Sequence, residues 1–229
     1  MLDSALPLSD RGDMTRILTL LLAALLSGVL GSAERTVLCY GDSITFGEMK
    51  DQGVGAGTRW VDVLAKEVPG IRTVNAGKNG RTTEDLGSLE KAITAQPDCA
   101  VIILMLGTND MKNAKDAAKA VADGSARMGK LIDAAQAKAP KAEILVCAPI
   151  SIGLETLSDY WRGKGFGEGT QRALAQLPEA YAAEAKKRKV RFASMFAAVS
   201  AANLPDGVHP NLAGHGELAK AMAAALKAK

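Results

Sequence analysis

Histidine is scarce in this chain. Two histidines and three cysteines occur in 229 residues, none with the spacing of a zinc site, so no metal centre is expected. Charge of one sign is also lacking. Lys and Arg number 28 against 25 Asp and Glu, and no basic cluster is interleaved with aromatics, which argues against nucleic acid as a partner. The densest basic run, Lys186-Lys187-Arg188-Lys189, falls where a helix should end, and cations there favour the helix dipole. There is no Gly-Lys-Ser/Thr, and neither Gly53–Gly57 nor Gly163–Gly167 joins a strand to a helix, so a phosphate cradle is poorly supported. Gly-x-Ser-x-Gly is absent too, which removes the nucleophile elbow of α/β-hydrolases. There is no internal repeat and no domain linker.

What is present suits one globular domain with a substantial core: 48% of the residues are apolar and 23% charged. The first 33 residues read as a separate N-terminal extension. Arg16 precedes an apolar run at 17–26, and Gly31-Ser32-Ala33 offers a signal-peptidase site. The run is short against the ~20 apolar residues of a membrane span; a retained anchor is the alternative. Translation can start at Met1 or Met14. The expected mature protein is secreted or periplasmic, cut near Ala33, with a folded domain over 34–229. Cys39 and Cys147 lie in apolar runs and Cys99 precedes a third, so all read as small buried hydrophobes, with a Cys39–Cys147 bridge left open.

Short runs rich in Val, Ile and Leu at 36–40, 71–74, 100–106, 144–148 and 190–193 alternate with helical periodicity at 58–68, 83–95, 114–138, 171–188 and 212–227. That alternation predicts an α/β fold with a parallel sheet covered on both faces. Residues 100–106 have no polar alternation, as a central strand requires. Two segments fall outside the pattern. Glu48–Gly57, Gly-rich and polar, reads as a mobile loop. Ser151–Gly169 carries Tyr160, Trp161 and Phe166, and reads either as a wall over a pocket or as a surface loop anchored by its aromatics.

The candidate chemistry sits at the ends of the predicted strands, where ligands bind in open parallel sheets. Ser43, in Gly41-Asp42-Ser43, follows the first strand; Gly41 allows a tight turn and free backbone N–H groups follow. Asn75-Ala76-Gly77 follows the second, where Gly77 N–H can donate to an oxyanion or simply turn the chain. Asn109, in Gly107-Thr108-Asn109-Asp110, adds a side-chain donor after the third, and Asp110 reads as a helix N-cap. His209 lies in the loop Leu204–Pro210 before the last helix, three residues after Asp206, so a turn can set a carboxylate on one ring nitrogen. His215, inside that helix, reads as structural. Arg59, Trp60, Arg81, Thr82 and Thr83 are candidates for lining or bracing. A histidine base predicts activity rising with pH around a midpoint of roughly 6–7.

The blocks Gly41–Gly47, Asn75–Gly80, Gly107–Asp110 and Asp206–Pro210 resemble those of the SGNH (GDSL-type) hydrolase family, and the likeness runs from about residue 36 to the C-terminus. It implies a three-layer α/β/α, flavodoxin-like fold with a five-stranded parallel sheet. By position it implies Ser43 as nucleophile, His209 as base, Asp206 as its partner, and an oxyanion hole from Ser43 N–H, Gly77 N–H and the Asn109 amide, with no metal or organic cofactor. Cys39–Ser43, Thr58-Arg59-Trp60, Arg81-Thr82-Thr83 and Leu106–Asp110 are similar to the arylesterase/acyltransferase branch, which includes homo-oligomers. The expected activity is that of a secreted serine esterase for short, acetyl-type esters, with no stable membrane association after signal removal. A carbohydrate O-deacetylase, a lysophospholipase-type enzyme, acyl transfer to alcohols and a non-catalytic carbohydrate-binding module are the alternatives.

Overall fold

Five strands take up the apolar runs: β1 (Arg35–Gly41), β2 (Ile71–Gly77), β3 (Val101–Met105), β4 (Glu143–Ala148) and β5 (Arg191–Ser194). They pair in parallel throughout, in the order β2-β1-β3-β4-β5. The structure is a computed structural model that describes residues 34–228, so the expected signal segment and its cleavage near Ala33 lie outside the described residues.

Successive side chains of a strand point to opposite faces, and here both faces are apolar. Leu38, Tyr40, Ile102, Leu104 and Val146 pack on one face against α3 (Leu86–Thr94), α4 (Ala117–Lys138) and α6 (Glu168–Arg188). Val37, Cys39, Ile103, Met105 and Leu145 pack on the other against α2 (Trp60–Glu67) and α7 (Leu212–Lys227). Two short helices complete the set, α1 (Ser43–Phe46) and α5 (Asp159–Gly163). All five residues of β3 are buried, as a strand covered on both sides demands. Each fully buried Val, Ile, Leu or Met contributes about 1.5–3 kcal/mol, so this central strand anchors the sheet. The expected α/β/α layering with a five-stranded parallel sheet is what forms.

Caps set the helix ends. Asp85, Asp116 and Asn211 accept backbone N–H groups at the starts of α3, α4 and α7. The basic run lies in the last turn of α6, and Lys189 leaves that helix in the left-handed conformation.

Three expectations change. Asn75-Ala76-Gly77 does not follow the second strand but is its last part, because Cys39, Tyr40 and Gly41 of β1 continue the ladder opposite it. Glu48–Gly57 is no featureless loop: Lys50–Gln52 forms a 3-10 turn, Met49 bridges Val54, and Val54 is buried. Asp110 does not cap a helix; Asp116 starts α4 instead. All three cysteines are free and buried; Cys39 and Cys147 lie on strands separated by β3. Among the described residues no helix is long and apolar enough to cross a membrane.

Candidate active site

The order of strands reverses direction between β1 and β3, and the crevice at their carboxyl ends is where the four motifs meet. Gly41 ends β1. Its backbone does not need a glycine conformation; its lack of a side chain does the work, since a Cβ would sit 2.0 Å from Thr45 Oγ1. Asp42 then caps α1, its Oδ1 accepting the Ile44 N–H at 3.0 Å. Burial pushes the Asp42 carboxyl up to about 6, with the Ile44 N–H pulling the other way. Ser43 opens α1, where its own N–H has no partner among the described residues.

The loop before α7 supplies the histidine. Asp206 Oδ1 accepts the backbone N–H groups of Val208 at 2.8 Å and His209 at 2.7 Å, a turn built by the short carboxylate side chain. Gly207 takes φ +82, and a Cβ there would lie 2.4 Å from Leu157 Cα, so glycine is required twice over. The other carboxylate oxygen, Oδ2, lies 2.9 Å from His209 Nδ1, and His209 Nε2 lies 2.8 Å from Ser43 Oγ. A carboxylate only accepts, so Nδ1 carries the proton and Nε2 presents its lone pair to the Ser43 hydroxyl. Burial alone would raise Asp206, but the hydrogen bonds from His209 and Val208 outweigh it and hold the group at about 2.

On the opposite side of Ser43 the expected donors separate. Asn109 lines the cleft, and its Nδ2 donates one hydrogen to Arg81 O at 3.1 Å, which leaves the second amide hydrogen for a ligand. Gly77 departs from expectation. Its N–H is taken by Asn75 Oδ1 at 2.9 Å, and it does not line the cleft. Its reason for being glycine is packing, because a Cβ would lie 2.2 Å from Phe46 N. Gly80 lines the cleft instead, with φ +73 and an N–H that has no partner among the described residues.

A family model for GDSL-like lipases and acylhydrolases matches residues 39–216. The chain belongs to this family. It is a carboxylic ester hydrolase of the SGNH type. Among solved structures, a carbohydrate acetylesterase from Sinorhizobium meliloti has a TM-score of 0.72 at 25% identity, covering 84% of this chain and 98% of that one. A carbohydrate acetylesterase family member from the same organism has a TM-score of 0.68 at 26% identity, covering 84% and 97%. The native aryl esterase of M. smegmatis, at 24% identity and a TM-score of 0.70 over 84% and 98%, shares the fold. No curated protein matches the chain by sequence.

The cleft of the hydrolase holds about 580 Å³, within the range of small-molecule sites. One wall is the turn over 48–52. The other carries Tyr160, Trp161 and Phe166, so the long connection is a pocket wall, and its aromatics anchor it as well: Phe166 is buried while Tyr160 is 63% exposed. Trp161, which no sequence motif singles out, reaches Asp206 and His209. Its Nε1–H donates to Asp206 Oδ2 at 2.7 Å and its ring lies 4.9 Å from the His209 ring. Only the presence of an aromatic in a long loop hinted at it.

None of the five bracing candidates lines the cleft. Arg81 is buried and donates to Gly41 O at 2.8 Å and to Ala76 O, tying the ends of β1 and β2, with its guanidinium 4.0 Å from the Tyr40 ring centroid. Thr83 donates to Asp110 through its backbone N–H at 3.1 Å and also through its hydroxyl, and Arg127 closes on Asp110 Oδ1 at 3.1 Å. Asp110 therefore pins the segment holding Gly80 and Arg81 beside Asn109. Arg59 packs over Phe46 and Thr82 makes a local turn to Glu84 N–H. Trp60 N–H donates to His215 Nδ1 at 3.1 Å. Burial lowers His215 to about 4, so it is a neutral acceptor, in keeping with its structural reading.

Proposed function

We propose that the hydrolase is an exported esterase for short, acetyl-type acyl groups that works through an acyl-enzyme on Ser43. The observation that carries this reading is the chain of contacts from Ser43 Oγ through His209 to Asp206, at 2.8 and 2.9 Å. Ser43 Oγ attacks the ester carbonyl as His209 Nε2 takes its proton, and Asp206 stabilises the imidazolium and fixes its tautomer. The tetrahedral oxyanion faces Ser43 N–H, Gly80 N–H and the free amide hydrogen of Asn109. One such donor is worth about 3 kcal/mol, a factor of roughly 10²–10³ in rate. His209 then protonates the departing alkoxide, and the same histidine activates the water that cleaves the acyl-enzyme, releasing the acid and restoring Ser43. None of these steps draws on a metal or organic cofactor.

An acetylated carbohydrate is the substrate class we favour. Tyr160 stands exposed at the cleft edge beside Trp161, where a sugar ring can stack, and the two Sinorhizobium meliloti relatives are carbohydrate acetylesterases by name. Export with cleavage near Ala33 belongs to the same proposal, and N-terminal sequencing of the mature protein should begin at Glu34.

A fluorophosphonate probe tests the nucleophile. It should label the wild type at Ser43 alone, and labelling should collapse in His209→Ala; label on another residue would contradict the assignment. Acetate release from an acetylated oligosaccharide, beside lysophosphatidylcholine, separates the sugar reading from the lipid one.

A further inference from the structure

One wall of the cleft contains a cation with no counter-ion. Lys112 lines the cleft beside Thr108 and Asn109, half-buried, with its Nζ 5.2 Å from the Phe166 ring centroid. Among the described residues no carboxylate lies within ion-pair distance of it, whereas eleven other pairs in the molecule reach that distance. The other charges around it differ in kind. Glu48, Lys50 and Asp51 are exposed on the facing rim. Asp206 is engaged by His209 and Trp161. Asp42 acts on Lys112 only through space, and Lys164 is a second cation, held 5.4 Å from the Tyr160 ring.

Lys112 is also held more firmly than a surface lysine. Met111 before it is fully buried and donates its N–H to Gly107 O at 3.2 Å. Asn113 after it adopts a left-handed φ of 54 and donates its N–H to Gly165 O at 2.8 Å. That clamp requires glycine at 165, where a Cβ would lie 2.1 Å from Asn113 Oδ1. The backbone of Lys112 is thus held from both sides, its ammonium lies over the Phe166 ring, and the residue lines the cleft. Burial, with Lys164 adding to it, lowers the ammonium from the usual lysine range. A partly desolvated ammonium whose near neighbour is an aromatic face still lacks a counter-ion, and an anion arriving with the substrate supplies one.

We infer that Lys112 is an anion subsite of this cleft, recognising a carboxylate carried by the ester substrate. The inference rests on the esterase reading above and narrows its substrate class to acidic esters, such as an acetylated sugar acid. The carboxylate can sit on the alcohol portion or on the acyl portion.

Two matched pairs of esters test it. Measuring kcat/KM for 4-acetoxybenzoate against its methyl ester places the charge on the alcohol. The mono-4-nitrophenyl ester of adipic acid against 4-nitrophenyl hexanoate places it on the acyl group. Dividing each charged-to-neutral ratio in the wild type by the same ratio in Lys112→Met cancels intrinsic reactivity. One quotient should be about 10, the gain expected of one charge-assisted contact, and the wild-type ratio should shrink as salt is added. Quotients near 1 for both pairs, or a wild-type ratio indifferent to salt, would overturn the subsite. Turnover of the two neutral esters by the wild type reports separately on the esterase reading, so that reading can survive the loss of this one.

Discussion

Trp161 and His209 share one acceptor. The indole N–H donates to Asp206 Oδ2 at 2.7 Å, and His209 Nδ1–H donates to the same oxygen at 2.9 Å. The pocket wall and the histidine loop are joined elsewhere too, through Gly153 N–H to Gly207 O at 2.8 Å and Ser158 N–H to Asp206 O at 3.1 Å. The wall that shapes the cleft therefore also orients the carboxylate that meets His209. Trp161→Phe keeps a ring against His209 and removes only the donor. We expect kcat on 4-nitrophenyl acetate to fall about tenfold, in line with a lost hydrogen bond to a charged group, while KM changes less than about twofold. A loss confined to KM would make Trp161 a pocket-lining residue and nothing more.

Asp110 holds the far side of the site. Its side chain is fully buried and receives Thr83 and Arg127. Asp110→Ala strands the partly buried Arg127 guanidinium and frees the segment that carries Gly80 and Arg81. Chemical denaturation should show a loss of about 3 kcal/mol, the scale for breaking a buried charged network from one side. A change under about 0.5 kcal/mol would mean that the network is decorative.

The two glycines after β2 should respond differently. At Gly77 an added methyl meets the Phe46 backbone at 2.2 Å, so Gly77→Ala must displace α1 and Ser43 with it. At Gly80 the space is open and only φ +73 resists, which costs roughly 1–2 kcal/mol for one left-handed residue. Gly77→Ala should lose both stability and activity, whereas Gly80→Ala should stay folded. Equal behaviour of the two variants in thermal unfolding would contradict the packing argument.

How far the site could be read from sequence follows from the same residues. Ser43 and Asn109 stand out in sequence because each follows an apolar strand, and Asp206 and His209 because they lie three residues apart in one short loop. The Gly77 N–H is engaged because Asn75 folds its side chain back onto it, a contact that spacing alone does not reveal. Asp110 read as a cap because its tertiary partners, Thr83 and Arg127, lie 27 and 17 residues away. Trp161 reads from sequence only as a loop aromatic for the same reason, its partner lying 45 residues on. The sheet was the most legible part, since strands buried on both faces leave unbroken apolar runs.

His215 gives stability a pH dependence of known sign. Its folded value of about 4 lies below the ordinary 6.5, so its contribution is complete above pH 6.5 and is lost as pH falls toward 4. Asp42, raised to about 6, works in the opposite direction across the same window, because the folded state then holds a proton that the unfolded chain releases. The wild-type slope is therefore shallow. Urea unfolding of wild type and His215→Gln at pH 7 and pH 5 should show the wild type losing about 2 kcal/mol relative to the variant on acidification. A constant difference between the two proteins would mean that His215 is not a buried neutral acceptor.

The central claim is that Ser43 carries short acyl groups. Its most direct test is kcat/KM on 4-nitrophenyl esters from acetate to decanoate, for the wild type and Ser43→Ala. The account predicts a maximum at acetate or butyrate and turnover that vanishes in Ser43→Ala. A maximum at the long chains, or a Ser43→Ala variant that still turns over acetate at the wild-type rate, would contradict it.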